Sequence, residues 1–171
     1  PEEAAYLIKS LESKITSEAL MELDEDDREK ILSYLSPKEI AKEIEKMDTD
    51  DAADVVAELD DHIQKKVIEI IEDEEHASDI VELLTYDKDT AGALMAKELV
   101  QVKETWTVAS CVREMRRQAE NVTRVHSIYV TDKDGKLKGR LSLKDLLTAS
   151  VKTHISEVYI PKVDFVTVAT E

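Results

Sequence analysis

Residues 23–58 decide how the first half of the chain folds: they read LDEDDREKILSY (23–34), LSPKEIAKEIEK (35–46) and MDTDDAADVVAE (47–58), units of equal length. The same frame, extended over residues 11–84, gives a first column of apolar residues, Leu11, Leu23, Leu35, Met47, Leu59, Ile71 and Leu83. A second column lies nine places later and is also apolar throughout: Leu20, Leu32, Ile44, Val56, Ile68 and Ile80. Only 42% of the chain is hydrophobic, so two unbroken columns indicate a repeated structural unit.

The position after the first column carries residue types that begin helices. These residues are Asp24, Ser36, Asp48 and Asp60, and an acid follows three places later in the first three cases. An uninterrupted helix would rotate its apolar stripe by about 120° per unit, whereas short helices re-aimed at each cap keep the stripe on one core. We therefore predict an array of short helices, wound to the right or to the left. A longer helix is expected through Ile63–Leu84, where neither Pro nor Gly interrupts the chain.

Charge divides the chain into two parts. Residues 1–90 hold 29 acidic against 10 basic side chains, whereas residues 91–171 hold 10 against 13. Such an asymmetry indicates two domains, and the acidic one would repel nucleic acid and anionic membranes while attracting cations or a basic partner. Most of these carboxylates are expected simply to form a solvated surface.

Several function classes find little support in the sequence. No apolar run approaches the roughly 18–20 residues of a membrane span. The single cysteine, Cys111, cannot form an internal disulfide and is expected to be a packed thiol in a helix. A phosphate loop, a dinucleotide fingerprint and a nucleophile–base pair are all missing, so we do not expect an enzyme.

The second half has the pattern β-α-β-β-α. The predicted elements are strand Leu99–Val102, helix Val108–Ala119, strand Ser127–Thr131, strand Lys136–Leu141 and a helix capped by Ser142. A hairpin turn is expected at Asp132–Gly135, with glycine where a positive φ is needed. A short helix around Ile155–Val158 and a strand at Phe165–Val168 should begin a second, similar unit.

Residues 128–147, IYVTDKDGKLKGRLSLKDLL, resemble the core of a CBS domain. The element Gly139-x-x-Ser142-x-x-Asp145 matches the nucleotide-contacting motif of that family. Its chemistry suits such a ligand: glycine lets a phosphate or ribose approach the backbone, Ser142 caps a helix, and Asp145 can accept from ribose hydroxyls. The resemblance implies a possible site for ATP or another adenine nucleotide.

The junction YDKDTAGALM (86–95) resembles the one in MgtE-type magnesium channels and transporters, which join an acidic helical domain to a CBS domain. The resemblance implies an α + α/β fold: a helical-repeat domain (1–90), a CBS domain (91–152) and the start of a truncated second CBS domain (153–171). It also implies a homodimer formed through the CBS domains, attached to its own transmembrane pore on the cytoplasmic face of the bacterial inner membrane. In that family, bound intracellular Mg²⁺ closes the pore.

Three acids are implied as Mg²⁺ ligands by the same resemblance. Asp50 and Asp54 match the family's Asp-Asp-x-Ala-Asp site, and Glu18 matches a third position. Their spacing supports the pair, because residues four apart share a helix face and Mg²⁺ usually takes one or two protein carboxylates. The opposing ligands would lie largely beyond Glu171.

Another function remains open. Acidic helical repeats also occur in the flagellar motor switch, so the chain could be a protein-interaction scaffold with a nucleotide-sensing CBS module and no metal sensing.

Overall fold

The computed structural model describes residues 2–11, 13–118 and 127–171, which form two units with separate cores. One unit comprises the chain through Lys97 together with Thr167–Glu171, and the other comprises Glu98–Val166. The expected α + α/β class is confirmed, with helices in the first unit and a sheet with helices in the second. In the described residues no helix is both long and apolar enough to span a bilayer.

The first unit consists of short helices joined by tight connections. They are α1 (Glu2–Ser10), α2 (Ser13–Met21), α3 (Glu25–Leu32), α4 (Pro37–Ile44), α5 (Thr49–Ala57), α6 (Asp61–Ile70) and α7 (Glu74–Leu83). Helices commonly pack on the helix two places further along the chain: α1 on α3, α2 on α4, α4 on α6 and α5 on α7. The stacking of repeated units therefore builds one core, as the period predicts.

The predicted cap positions all precede helices, but they act differently. The side chain of Asp24 accepts from the Asp27 N–H at 2.9 Å, and Ser36 forms a reciprocal capping box with Glu39. Asp48 and Asp60 occupy the N-cap positions of α5 and α6 without a side-chain cap hydrogen bond. Helix starts were thus predictable from residue type, whereas the bond at each start was not.

The second apolar column forms the centre of the helical core. Each of its members except Ile68 is at most 2% exposed. The carbonyls of Ile8, Leu20 and Val56 lie near helix ends, where each accepts a backbone bond from the residue three places later. Side chains eight residues later supply donors: Thr16 bonds the Ile8 carbonyl at 3.3 Å, and Gln64 bonds the Val56 carbonyl at 2.8 Å. The repeat consequently specifies polar contacts as well as burial.

The prediction of one longer helix through Ile63–Leu84 is wrong. The chain leaves helical geometry at Ile71, whose ψ is 124°, and a new helix begins at Glu74. Asp73 stabilises the break, because its Oδ1 accepts from the backbone N–H groups of Glu75 at 3.0 Å and His76 at 3.1 Å. Ile71 is buried in the core, and its burial holds the connection between α6 and α7 against that core.

The second unit has the expected β-α-β-β-α order. Its elements are β1 (Val100–Lys103), α8 (Val108–Gln118), β2 (Ile128–Thr131), β3 (Leu137–Leu141) and α9 (Leu143–Thr148). β1 and β2 are parallel, whereas β2 and β3 are antiparallel and joined by a turn in which Gly135 has φ +81°. The fully buried Cys111 is a packed thiol as expected, and burial raises its pKa to about 11.

The end of the chain differs from the sequence prediction. A 3₁₀ helix at Ile155–Glu157 stands where a short helix was expected, but residues 165–168 are not a strand. No strand of the described residues pairs with this segment, and Phe165 and Val166 are exposed. Its backbone bonds instead to a non-strand segment, because the Val168 carbonyl accepts from the Gly92 N–H at 3.0 Å. The predicted helix end at Ala119 lies outside the described residues.

Candidate cation-binding and nucleotide-binding sites

Helix α5 carries both aspartates that sequence resemblance assigns to the metal. Asp50 and Asp51 are half-buried in its first turn, and Asp54 is exposed one turn later. The inward side of the helix is fixed by Ala52, Val55 and Val56, which are fully buried. That packing places Asp50 and Asp54, four residues apart, along one outer face.

The acids of α5 disfavour one another's ionisation. The pKa of Asp54 is raised, first by partial loss of hydration and further by Asp50 and Glu58, while the Arg28 guanidinium opposes the shift. The pKa of Asp51 is raised by burial and then by Asp50, Asp48 and Asp54. A bound cation would relieve this repulsion, and carboxylate oxygens are the donors that Mg²⁺ prefers.

A buried ion pair borders this acidic face. The Arg28 guanidinium donates to both carboxylate oxygens of Glu58, with Nε–Oε1 and Nε–Oε2 distances of 3.1 Å and 2.9 Å, and Nη2 adds a further bond to Oε1. The side chains are only 8% and 11% exposed. Arg28 also bonds the Leu20 carbonyl at 3.3 Å. Like Thr16 and Gln64, it therefore donates to the carbonyl of the residue eight places earlier.

Glu18 is placed differently from the aspartates. It lies exposed on α2 and is not among the charges that dominate the pKa shifts of Asp51 and Asp54. Within the described parts of the chain, no group of three or more His, Cys, Asp or Glu side chains is arranged to hold a metal. Asp50 and Asp54 therefore offer at most two carboxylates to an Mg²⁺ ion, whose remaining oxygens would have to come from water or from acids elsewhere.

The CBS motif residues mainly bond and pack within their own unit. Ser142 Oγ accepts from the Asp145 N–H at 3.0 Å and donates to Asp145 Oδ2 at 2.6 Å, which caps α9. A Cβ on Gly139 would lie 2.2 Å from the Ile160 carbonyl oxygen and 2.5 Å from the Tyr159 ring. The structure therefore joins Ser142 to Asp145 and explains Gly139 by the close approach of residues 159–160.

Sequence reasoning missed the Arg28–Glu58 pair and the anchoring of α5 to the end of its unit. The Thr49 hydroxyl accepts from the Lys97 backbone N–H at 3.0 Å, and the Lys97 ammonium pairs with Glu82 at 2.7 Å. One signal was available: Arg28 is the only arginine among residues 1–90, and the apolar residues Ile40 and Ala52 stand at the same position of the following repeats. The Lys97 contacts have no comparable sequence signature.

Two family models match the chain. The model described as the MgtE intracellular N domain covers residues 1–89, and the CBS domain model covers residues 91–152.

Similar proteins agree with these matches. The magnesium transporter MgtE of Thermus thermophilus is 43% identical over 89 residues, 52% of this chain and 20% of that protein. The magnesium transporter MgtE of Enterococcus faecalis is 35% identical over 77 residues, 45% of this chain and 17% of that protein. The chain thus spans about a fifth of the length of these curated relatives or less.

Solved structures resemble nearly all of the chain. The cytosolic domain of the Mg²⁺ channel MgtE, in complex with ATP, aligns with a TM-score of 0.90 and 31% identity over 99% of this chain and 69% of the other. The soluble part of a magnesium transporter aligns with a TM-score of 0.72 and 28% identity, covering 99% and 76%.

Proposed function

The chain belongs to the MgtE family, and we propose that it is the Mg²⁺-sensing, regulatory cytosolic region of an MgtE-type magnesium channel or transporter. In this proposal it lies on the cytoplasmic face of the membrane beside its own pore domain and catalyses no reaction. Intracellular Mg²⁺ binds between the acidic helical domain and the CBS and plug region, and the pore closes. The proposed domains are 1–90, 91–152 and 153–171.

The observation that carries the sensing proposal is the crowding of carboxylates on α5. Asp50 raises the pKa of both Asp51 and Asp54, so the apo protein retains repulsion that a divalent cation would remove. Mg²⁺ supplies concentrated positive charge and a shell of bound waters there. Asp50 and Asp54 would be its ligands on this chain, and Glu18 on α2 is proposed as a third ligand on the strength of the family resemblance alone.

The experiment compares Mg²⁺ stabilisation of the wild-type chain with that of Asp50→Asn/Asp54→Asn. Melting is followed at constant ionic strength, with NaCl replacing MgCl₂, so that general screening of the acidic surface is held fixed. We expect Mg²⁺ to raise the melting temperature of the wild type, because a ligand that binds only the folded state stabilises it. The double variant should lose most of this rise.

A matched control is Glu25→Gln/Glu29→Gln on α3, an exposed acidic pair with the same spacing and the same change in net charge. It should keep the wild-type response. If both double variants lose the response equally, only general charge neutralisation is at work. If the wild type does not respond even when extended through a second CBS module, the scaffold function is favoured instead.

We further propose that the second unit binds ATP or another adenine nucleotide through Gly139, Ser142 and Asp145. The Asp145 carboxylate is half-buried and held by the Ser142 hydroxyl, a geometry that leaves its other oxygen available to a ribose. The cytosolic MgtE domain with which the chain aligns was solved with ATP.

Calorimetric titration with ATP tests the nucleotide proposal. Asp145→Asn keeps the side-chain size and should weaken ATP binding by about tenfold or more, as expected for loss of a charge-assisted hydrogen bond. Lys144→Gln, a neighbouring exposed position, is the control. Equal ATP affinity in the wild type and Asp145→Asn would contradict this assignment.

A further inference from the structure

Glu58 extends the line of acids on α5. It follows Asp54 by four residues, as Asp54 follows Asp50, and its backbone is still helical at φ −80° and ψ −12°. Carboxylates at these three positions lie along one side of the helix. Glu58 nevertheless differs from the aspartates, because its carboxylate is 11% exposed and both of its oxygens are bonded to Arg28.

Arg28 is held firmly in this position. Besides Glu58 it bonds the Leu20 carbonyl at 3.3 Å, and the residue is 6% exposed. A bidentate guanidinium–carboxylate contact of low exposure is geometrically specific and exchanges little with solvent.

We propose that Arg28 is a resident cation of the α5 acidic face, which withholds Glu58 from divalent cations and so keeps the site's Mg²⁺ affinity low. This inference rests on the proposed sensing function. The guanidinium occupies the carboxylate one helical turn beyond Asp54, which would otherwise be the next oxygen donor available to a cation bound there. Arg28 is a positioning residue, since it acts on the cation through Glu58 and does not touch it. A sensor is useful only when its affinity matches the concentration it monitors, and Arg28 supplies that adjustment.

The test measures Mg²⁺ affinity by calorimetry on the full chain for the wild type, Arg28→Met and Arg28→Lys. Arg28→Met removes the charge and releases Glu58, so we expect Mg²⁺ binding about tenfold tighter or more. Arg28→Lys keeps the charge but not the planar fork, and it should bind within about threefold of the wild type. Both variants lose the bidentate contact, so a purely structural role would change their affinities alike.

A double variant separates the release of Glu58 from loss of charge alone. Arg28→Met/Glu58→Met removes both partners without changing the net charge and replaces a buried ion pair by apolar groups, which folded proteins often tolerate. It should bind Mg²⁺ within about threefold of the wild type, which keeps the inference testable if Arg28→Met fails to fold. Tenfold tighter binding by this double variant would overturn the role of Glu58.

The outcomes also distinguish this inference from the function on which it rests. Adding Asp50→Asn/Asp54→Asn to Arg28→Met should abolish the gain, because Glu58 alone is one carboxylate. If the wild type responds to Mg²⁺ through Asp50 and Asp54 but Arg28→Met binds no more tightly, only the inference fails. If Asp50→Asn/Asp54→Asn leaves the wild-type Mg²⁺ response unchanged, the proposed sensing site itself fails.

Discussion

At the scale of single residues, Asp54 shows the tension between stability and the proposed function. The side chain lies between opposing charges: Asp50 and Glu58 disfavour its ionisation, whereas Arg28 and Lys88 favour it. Loss of hydration is the largest contribution, and the net result is a raised pKa. A carboxylate in this condition reduces the stability of the metal-free protein while making the site attractive to a cation.

We predict that Asp54→Asn raises the melting temperature at pH 7 in the absence of divalent cations. Because the pKa of Asp54 is higher in the folded than in the unfolded state, protonation favours folding and ionisation opposes it. The difference between variant and wild type should therefore be largest near neutral pH. It should shrink as the pH falls through the raised pKa towards the ordinary value of 3.8.

Melting curves between pH 3.5 and pH 7, an interval chosen to bracket the ordinary range of carboxyl pKa values, check this prediction. Glu29→Gln, an exposed acid on α3, serves as the control and should shift the melting temperature little at any pH. A melting temperature of Asp54→Asn below that of the wild type at pH 7 would show that the attraction of Arg28 dominates, contrary to the prediction.

Gly139 has a packing role that the motif does not reveal. We expect Gly139→Ala to destabilise the second unit by about 1–3 kcal/mol or more, because the new methyl group meets the Ile160 carbonyl and the Tyr159 ring. Trp106 packs against the core of this unit and is the only tryptophan, so its fluorescence reports the unfolding. The loss should appear without any nucleotide present.

Gly135→Ala is an informative comparison for that prediction. Nothing lies within 4 Å of a Cβ at Gly135, but its φ of +81° costs a residue with a side chain about 1–2 kcal/mol. Stability of Gly139→Ala equal to that of the wild type would mean that residues 159–160 can move away at little cost.

At the scale of elements, the helix breaks follow the caps rather than the average propensity. Ile63–Leu84 contains neither Pro nor Gly and was predicted as one helix, yet Asp73 begins a second helix by bonding two backbone N–H groups. The period indicated this break, because Ile71 belongs to the first apolar column. Each earlier member of that column except Leu11 directly precedes a predicted helix cap. At Ile71 the cap comes two residues later, so the frame alone did not locate it.

Asp73→Ala should therefore destabilise the helical unit by about 1 kcal/mol, the usual cost of losing an N-cap side chain. Asp60→Ala, at an N-cap without a side-chain cap hydrogen bond, should cost no more than a few tenths of that amount. Chemical unfolding followed by circular dichroism at 222 nm, the usual wavelength for helix, measures both. Equal losses would imply that the charge near the helix start, and not the bond, provides the stabilisation.

Strand prediction succeeded where a partner strand exists and failed where the described residues offer none. Strand β2 pairs with β1 on one side and with β3 on the other. The predicted spans of these three strands differ from the observed ones by at most one residue at each end. Phe165–Val168 has the same composition but no partner strand among the described residues. The candidate site divides in the same way: the shared face of Asp50 and Asp54 follows from helical spacing, whereas the Arg28–Glu58 contact joins residues thirty positions apart and needs the tertiary fold.

At the scale of the whole molecule, the two units differ in what they leave exposed. The helical unit presents a largely acidic surface. The second unit presents apolar side chains on α9 and just beyond it: Leu143, Leu147 and Val151 are 47%, 69% and 62% exposed. Leu143 and Leu147 are four residues apart on α9 and share one face, and exposed apolar patches commonly mark interfaces. This patch supports the homodimer through the CBS unit that the family resemblance implies, and we propose that the chain forms it.

We predict that the chain dimerises and that Leu147→Asp shifts it to the monomer, because burying an unpaired carboxylate at an apolar contact is strongly unfavourable. Sedimentation equilibrium across a range of protein concentrations measures the association. Lys152→Asp introduces the same acid at an exposed polar position just after α9. It is the control and should leave the dimer in place. Net charge of −16 opposes self-association at low salt, so the measurement belongs at physiological ionic strength, where the repulsion is screened beyond about 8 Å. A wild-type chain that stays monomeric under those conditions would contradict dimerisation through this patch, while a Leu147→Asp dimer would move the interface elsewhere on the molecule.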